Sequence, residues 1–127
     1  MKAGETCVLV VDDDSSIRLL CRVNLELDDI PVVEAETLEE ARDWIRGGVV
    51  GAVLLDVHVG GEDGRVLLDE LKTDHADLPV LMLTGTAEFV SIRHAPDGII
   101  AKPFDPMGMV ARVREALRDH DAARSGA

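Results

Sequence analysis

Apolar residues along this chain fall into five short runs, separated by stretches in which apolar positions recur every three or four residues. Val8–Val11 is a continuous β-rich run, as in a strand buried on both faces. Ser15 or Ser16 is placed to cap a following helix with Ile17, Leu20, Cys21 and Leu25 on one face. Pro31 leads into a second short strand, Val32–Ala35. Thr37 and Glu40 then form a capping box over a helix whose inner face is Leu38, Ala41 and Ile45, stopped by Gly47 and Gly48. Val49–Leu55 is the third strand. The glycine-rich loop Val59–Gly64 leads to a helix from about Asp63 to Asp74, with Leu67 and Leu71 inward. Leu78–Leu83 makes the fourth strand. Between Gly85 and Ala95 the periodicity weakens: Phe89, Val90 and Ile92 predict a turn or two of helix before Pro96. Ile99–Ala101 is a short fifth strand. Asp105 as cap and Pro106 at the first helical position open a last helix with Val110, Val113 and Leu117 inward, and residues 121–127 read as a frayed tail.

Five alternations of strand and helix predict an α/β fold, a parallel sheet joined by right-handed crossovers with helices on both sides. At 127 residues the chain is read as one domain, with its core at about 6–120. Three aromatic residues, Trp44, Phe89 and Phe104, leave the core to aliphatic side chains. A net charge of −12, without a compensating basic patch, argues against direct binding to nucleic acid. No apolar run approaches the roughly 20 residues of a membrane span and no signal-peptide pattern opens the chain, so a cytoplasmic location is expected. Cys7 and Cys21 are expected to be reduced core residues.

The strand ends carry the chemistry. The first run reaches Asp12, Asp13 and Asp14, the third Asp56, the fourth Thr84 and the fifth Lys102. A parallel sheet aligns the carboxyl ends of its strands along one edge, where ligands bind. Acids after a strand often cap the next helix, but three in a row exceed that need. Carboxylates about 4–5 Å apart repel by roughly 3–4 kcal/mol at an effective dielectric near 20. Such a cluster holds a proton or a cation, and open all-oxygen donors suit Mg²⁺. Asp56 is the candidate nucleophile, since a carboxylate neutralised by a metal and a cation can form an aspartyl phosphate. Lys102, one of three lysines beside ten arginines, supplies a compact ammonium for a phosphoryl oxygen. The side chain of His58, two residues past Asp56, is expected to point away from the pocket.

The stretches VLVVDDDSSIR, LLDVHVGGEDG, VLMLTGT and IIAKPF, in this order, resemble the receiver domain of two-component response regulators over essentially the whole chain. The resemblance implies a flavodoxin-like (βα)5 sheet of strand order 2-1-3-4-5, with the site between the first and third strands. It implies that Asp56 accepts a phosphoryl group from a histidine kinase or phosphotransfer protein. Asp13 would bind Mg²⁺ directly, Asp12 mainly through water, and the His58 backbone carbonyl would complete the protein ligands. Lys102 and Thr84 would hold the phosphoryl group, and Pro103 would follow a cis peptide that aims the lysine. Gly85, Thr86 and His58 would govern access and hydrolysis. The chain would catalyse only its own phosphorylation and dephosphorylation, and would signal to a downstream protein as a monomer or phosphorylation-dependent dimer.

Three departures stand out. Gly60 replaces a commoner proline, implying a more flexible turn. Only 17 residues separate Thr84 from Lys102, so the fourth helix should be short or irregular. Ile99 takes the place of an aromatic switch residue. Thr84-Gly85 and the contracted segment resemble a subgroup of single-domain receivers with a reduced fourth helix, in which order and disorder of residues 85–98 would carry the output. Starting at Met1, with no room for an output domain after Asp121, the chain is expected to stand alone. Two rivals fit less well: a haloacid-dehalogenase-like phosphatase with Asp12 as nucleophile, which lacks a later acidic pair, and a binding-only pseudo-receiver.

Overall fold

β1 (Cys7–Val11) is entirely buried and is an interior strand of the sheet in the computed structural model, which describes residues 6–85 and 93–124. After it come α1 (Ser15–Leu27), β2 (Val32–Ala35), α2 (Leu38–Arg46) and β3 (Val50–Asp56). Then follow α3 (Gly64–Asp74), β4 (Val80–Thr84), β5 (Gly98–Ala101) and α4 (Pro106–Arg124). The five strands form one parallel sheet in the order β2-β1-β3-β4-β5, the flavodoxin-like arrangement expected. All four strands that end in chemistry therefore deliver it to the same edge.

Strand side chains alternate between the two faces. Cys7, Leu9 and Val11 pack with Leu38 and Ala41 of α2 and with Leu67 and Leu71 of α3. Val8 and Val10 pack on the other face with Cys21 and Leu25 of α1 and with Met109 and Val113 of α4. Each leucine buried this fully contributes roughly 1.5–3 kcal/mol relative to exposure. The sheet thus stands between the two cysteines, which are buried and unpaired with each other. Burial, reinforced by nearby carboxylates, pushes the Cys21 thiol up to about 12.

Several local expectations are corrected. Asp14, not Ser15 or Ser16, caps α1: its side chain accepts the Ser16 N–H at 2.9 Å. Leu20 is not inward but 38% exposed, because α1 carries apolar residues on most of its circumference. On α4 the buried positions are Met109, Val113, Ala116 and His120, while Val110 and Leu117 are only partly covered. Asp105 does cap this helix, accepting the Gly108 N–H at 3.1 Å. The helix runs on through Arg124, so residues 121–124 are helical rather than frayed. The loop after β3 is an antiparallel hairpin pairing His58 with Asp63 and Val59 with Glu62.

The short fourth helix expected around Phe89–Ile92 falls outside the described residues, as does Thr86. The chain that re-enters the sheet is tied down. Asp69 of α3 accepts the His94 N–H at 3.0 Å, and Asp97 pairs with Lys72 at 2.6 Å while accepting the Val80 N–H at 2.8 Å.

Candidate functional site

The three acids after β1 divide their work. Asp14 turns away to cap α1. Asp12 is completely buried, its N–H donating to the Ala35 carbonyl at 3.1 Å. Its carboxylate accepts the Asp14 N–H on Oδ1 and the Lys102 ammonium on Oδ2, both at 2.9 Å. Asp13 is exposed and accepts the Gly60 N–H at 3.1 Å on Oδ2. Asp56, at the end of β3, places Oδ2 3.2 Å from Lys102 Nζ, with the His58 N–H at 3.5 Å from Oδ1. One carboxylate oxygen from each of Asp12, Asp13 and Asp56 lies within 4.8 Å of the others.

The electrostatics follow from this crowding. Burial, with Asp56 adding to it, pushes the Asp12 carboxyl above the usual range, although Lys102 and the Asp14 N–H pull the other way. Burial opposes the Lys102 ammonium, but its bonds and attraction to Asp12 and Asp56 outweigh that and hold it above the ordinary lysine value. One ammonium among three carboxylates leaves negative charge in excess. Exposed Asp13 opens the cluster to solvent, and its hard oxygen donors match a magnesium-like ion better than zinc.

Two glycines shape the wall of the site. Gly60 and Gly61 form the hairpin turn with φ of +59° and +83°, as a two-residue turn of type I′ requires. Gly60 is thus a defined turn residue, and it does what proline cannot: it takes a left-handed φ and offers an N–H to Asp13. Gly60→Ala keeps that N–H and should cost about 1 kcal/mol of strain. Gly60→Pro should cost about 2 kcal/mol or more and should also weaken divalent-cation binding. Denaturation and cation titration of both variants check this; equal cation affinity for the two would contradict it. Gly64, at the start of α3, has no room for a side chain, since a Cβ there would overlap the Asp56 carbonyl oxygen.

Thr84 ends β4 and is buried, and its carbonyl accepts the Lys102 N–H at 2.7 Å, which locks the two strand ends in register. Among the described residues, a Cβ on exposed Gly85 would meet nothing within 4 Å. The Lys102–Pro103 peptide is cis. The His58 side chain is exposed, and Ile99 on β5 is 45% exposed. Asp12, Asp13, Asp56 and Lys102 therefore meet directly, with Thr84 on the neighbouring strand end. Sequence reasoning missed Gly64, for which the glycine-rich loop was the only signal.

The sequence profile of the response regulator receiver domain matches residues 8–114. The chain belongs to this family. The receiver domain is 35% identical over 121 residues to the phosphate regulon transcriptional regulatory protein PhoB of Pseudomonas aeruginosa, covering 91% of this chain and 52% of that protein. It is 34% identical over 121 residues to the transcriptional regulatory protein ResD of Bacillus subtilis, covering 92% and 50%. The receiver domain thus spans about half the length of these relatives. Among solved structures it is similar to the receiver domain of NtrX from Brucella abortus, with a TM-score of 0.81, 32% identity and coverage of 87% of this chain and 98% of that one. A CheY-like receiver domain protein from Methanospirillum hungatei shares the fold, with a TM-score of 0.85 at 24% identity, covering 94% and 99%. Among the described residues, no helix of the receiver domain is long and apolar enough to cross a membrane.

Proposed function

We propose that this receiver domain takes a phosphoryl group from a phosphohistidine of a histidine kinase or phosphotransfer protein onto Asp56, in a Mg²⁺-dependent transfer, and thereby changes its contacts with a downstream protein. The observation that carries this reading is the difference between the carboxylates around Lys102. Asp12 is fully buried with both oxygens engaged, whereas Asp56 keeps 13% of its side chain exposed and one oxygen held only at 3.5 Å. A nucleophile must be reached, and of the two carboxylates bonded to Lys102 it is Asp56 that can be. This contrast also counts against a phosphatase with Asp12 as nucleophile.

In the transfer, a carboxylate oxygen of Asp56 attacks phosphorus in line. The P–O bond forms as the P–N bond breaks, and the imidazole nitrogen leaves with the electron pair. Asp12, Asp13, Asp56 and the His58 carbonyl would hold Mg²⁺, which when bound supplies positive charge against the phosphoryl oxygens. Lys102 moves from Asp56 to the new phosphoryl group, and Thr84 brings its hydroxyl to it. Because only the active arrangement gains these contacts, phosphorylation shifts an existing equilibrium toward it. The protein turns over no separate substrate. Incubation with a small phosphodonor should give Mg²⁺-dependent phosphate uptake that Asp56→Ala abolishes; uptake persisting in that variant would reject the assignment, and none in the wild type would favour a binding-only pseudo-receiver.

A further inference from the structure

The peptide that joins Asp12 to Asp13 carries the carbonyl of Asp12, and the sheet does not use it: the ladder bond at this point comes from the Asp12 N–H to the Ala35 carbonyl. Arg18, one turn into α1, takes that carbonyl at 2.6 Å through Nη1. Its Nε donates to Glu34 Oε1 on β2 at 3.0 Å, and its side chain is only 14% exposed. Glu34 Oε2 in turn pairs with Arg22 at 2.9 Å, so the carboxylate is held from two successive turns of α1.

We infer that Arg18 is a positioning residue for the acidic site: it fixes the peptide between the two carboxylates, and Glu34 neutralises it so that its charge does not oppose a bound divalent cation. The inference rests on the Mg²⁺ reading of the site above. Rotation of this peptide would carry the Asp13 carboxylate away from the Gly60 N–H and from Asp56. The donors on both sides, Arg18 on the carbonyl and Gly60 on the Asp13 side chain, close off that motion. The guanidinium meets a backbone oxygen and a carboxylate at once through separate nitrogens. An ammonium at the end of a shorter stem cannot reproduce that fork.

The test is Mg²⁺ titration of the unphosphorylated protein by calorimetry, for wild type, Arg18→Met, Arg18→Lys and Glu34→Gln, with folding checked by circular dichroism. Loss of an outer partner of a metal site typically lowers affinity about 10- to 100-fold. Arg18→Met is expected in that range, with partial rescue in Arg18→Lys. Glu34→Gln, which leaves Arg18 on the Asp12 carbonyl but uncompensated, should lose several-fold, and that loss should shrink with added salt as screening grows. Wild-type affinity in folded Arg18→Met, with only a lowered melting temperature, would assign Arg18 a purely structural role and overturn the inference. Should Arg18→Met not fold, an unchanged affinity in Glu34→Gln at low salt would overturn it as well. No Mg²⁺ binding by the wild type would instead remove the reading on which it rests.

Discussion

Gly64→Ala is expected to cost about 3 kcal/mol of stability and to degrade cation binding with it. The added Cβ would overlap the Asp56 carbonyl oxygen and lie 3.2 Å from both the Asp56 carbonyl carbon and the Val57 oxygen. All three are backbone atoms, so no side chain can swing aside. Gly64 cannot retreat either, because its N–H donates to the Val57 carbonyl at 2.6 Å. Relief therefore has to come from the end of β3, which moves Asp56 itself. Chemical denaturation and Mg²⁺ titration of the variant measure the two effects. A loss below about 0.5 kcal/mol, the range of an inconsequential surface change, would contradict the geometry.

Lys102→Met should be the most damaging change among the charged side chains of the site. Removing one partner of a fully buried ion pair costs about 3–5 kcal/mol, and the 20% exposure of Lys102 lowers the expectation to about 2–3 kcal/mol. The pH dependence gives the effect a signature. The Asp12 carboxyl is already raised in the fold, so its contribution to stability weakens as pH climbs from the ordinary carboxylate value through the raised one. Without the ammonium that range extends further upward. The variant should therefore match the wild type in acid, where Asp12 is protonated, and fall behind it toward neutral pH. In the wild type the raised Lys102 acts in the same sense at higher pH: its stabilisation is complete below the ordinary lysine value and is lost as pH rises through the higher folded one. Added Mg²⁺ should return part of the loss in the variant by binding only the folded state. A deficit independent of pH and of Mg²⁺ would show that Lys102 acts through packing rather than charge.

The legible parts of this protein are those fixed by residue type and period. Val8–Val11 and the run ending at Asp56 announce buried strands because nothing polar interrupts them, and their order places Asp12, Asp13, Asp56, Thr84 and Lys102 on one edge. What stayed hidden depends on backbone direction. Three identical carboxylates follow β1, and only the turn decides that Asp14 caps α1 while Asp12 goes under the site. The need for glycine at position 64 arises because a two-residue hairpin folds the chain back onto the Asp56 carbonyl, a contact no periodicity encodes. The reach of Arg18 to a backbone oxygen is invisible for the same reason. On α4, Met109 and Ala116 stand beside Val110 and Leu117, so a rotation of about 100° about the axis exchanges the two sets and the pattern alone cannot choose.

Asp56, and no other carboxylate of the cluster, is expected to become an acyl phosphate when a divalent cation is present. Borohydride reduction of the phosphodonor-treated protein, followed by peptide mass spectrometry, locates that bond directly. The expected result is a reduced residue at Asp56 alone, formed with Mg²⁺ and absent when the metal is chelated. Reduction at Asp12 or Asp13, or modification of Asp56 that ignores chelation, would contradict it.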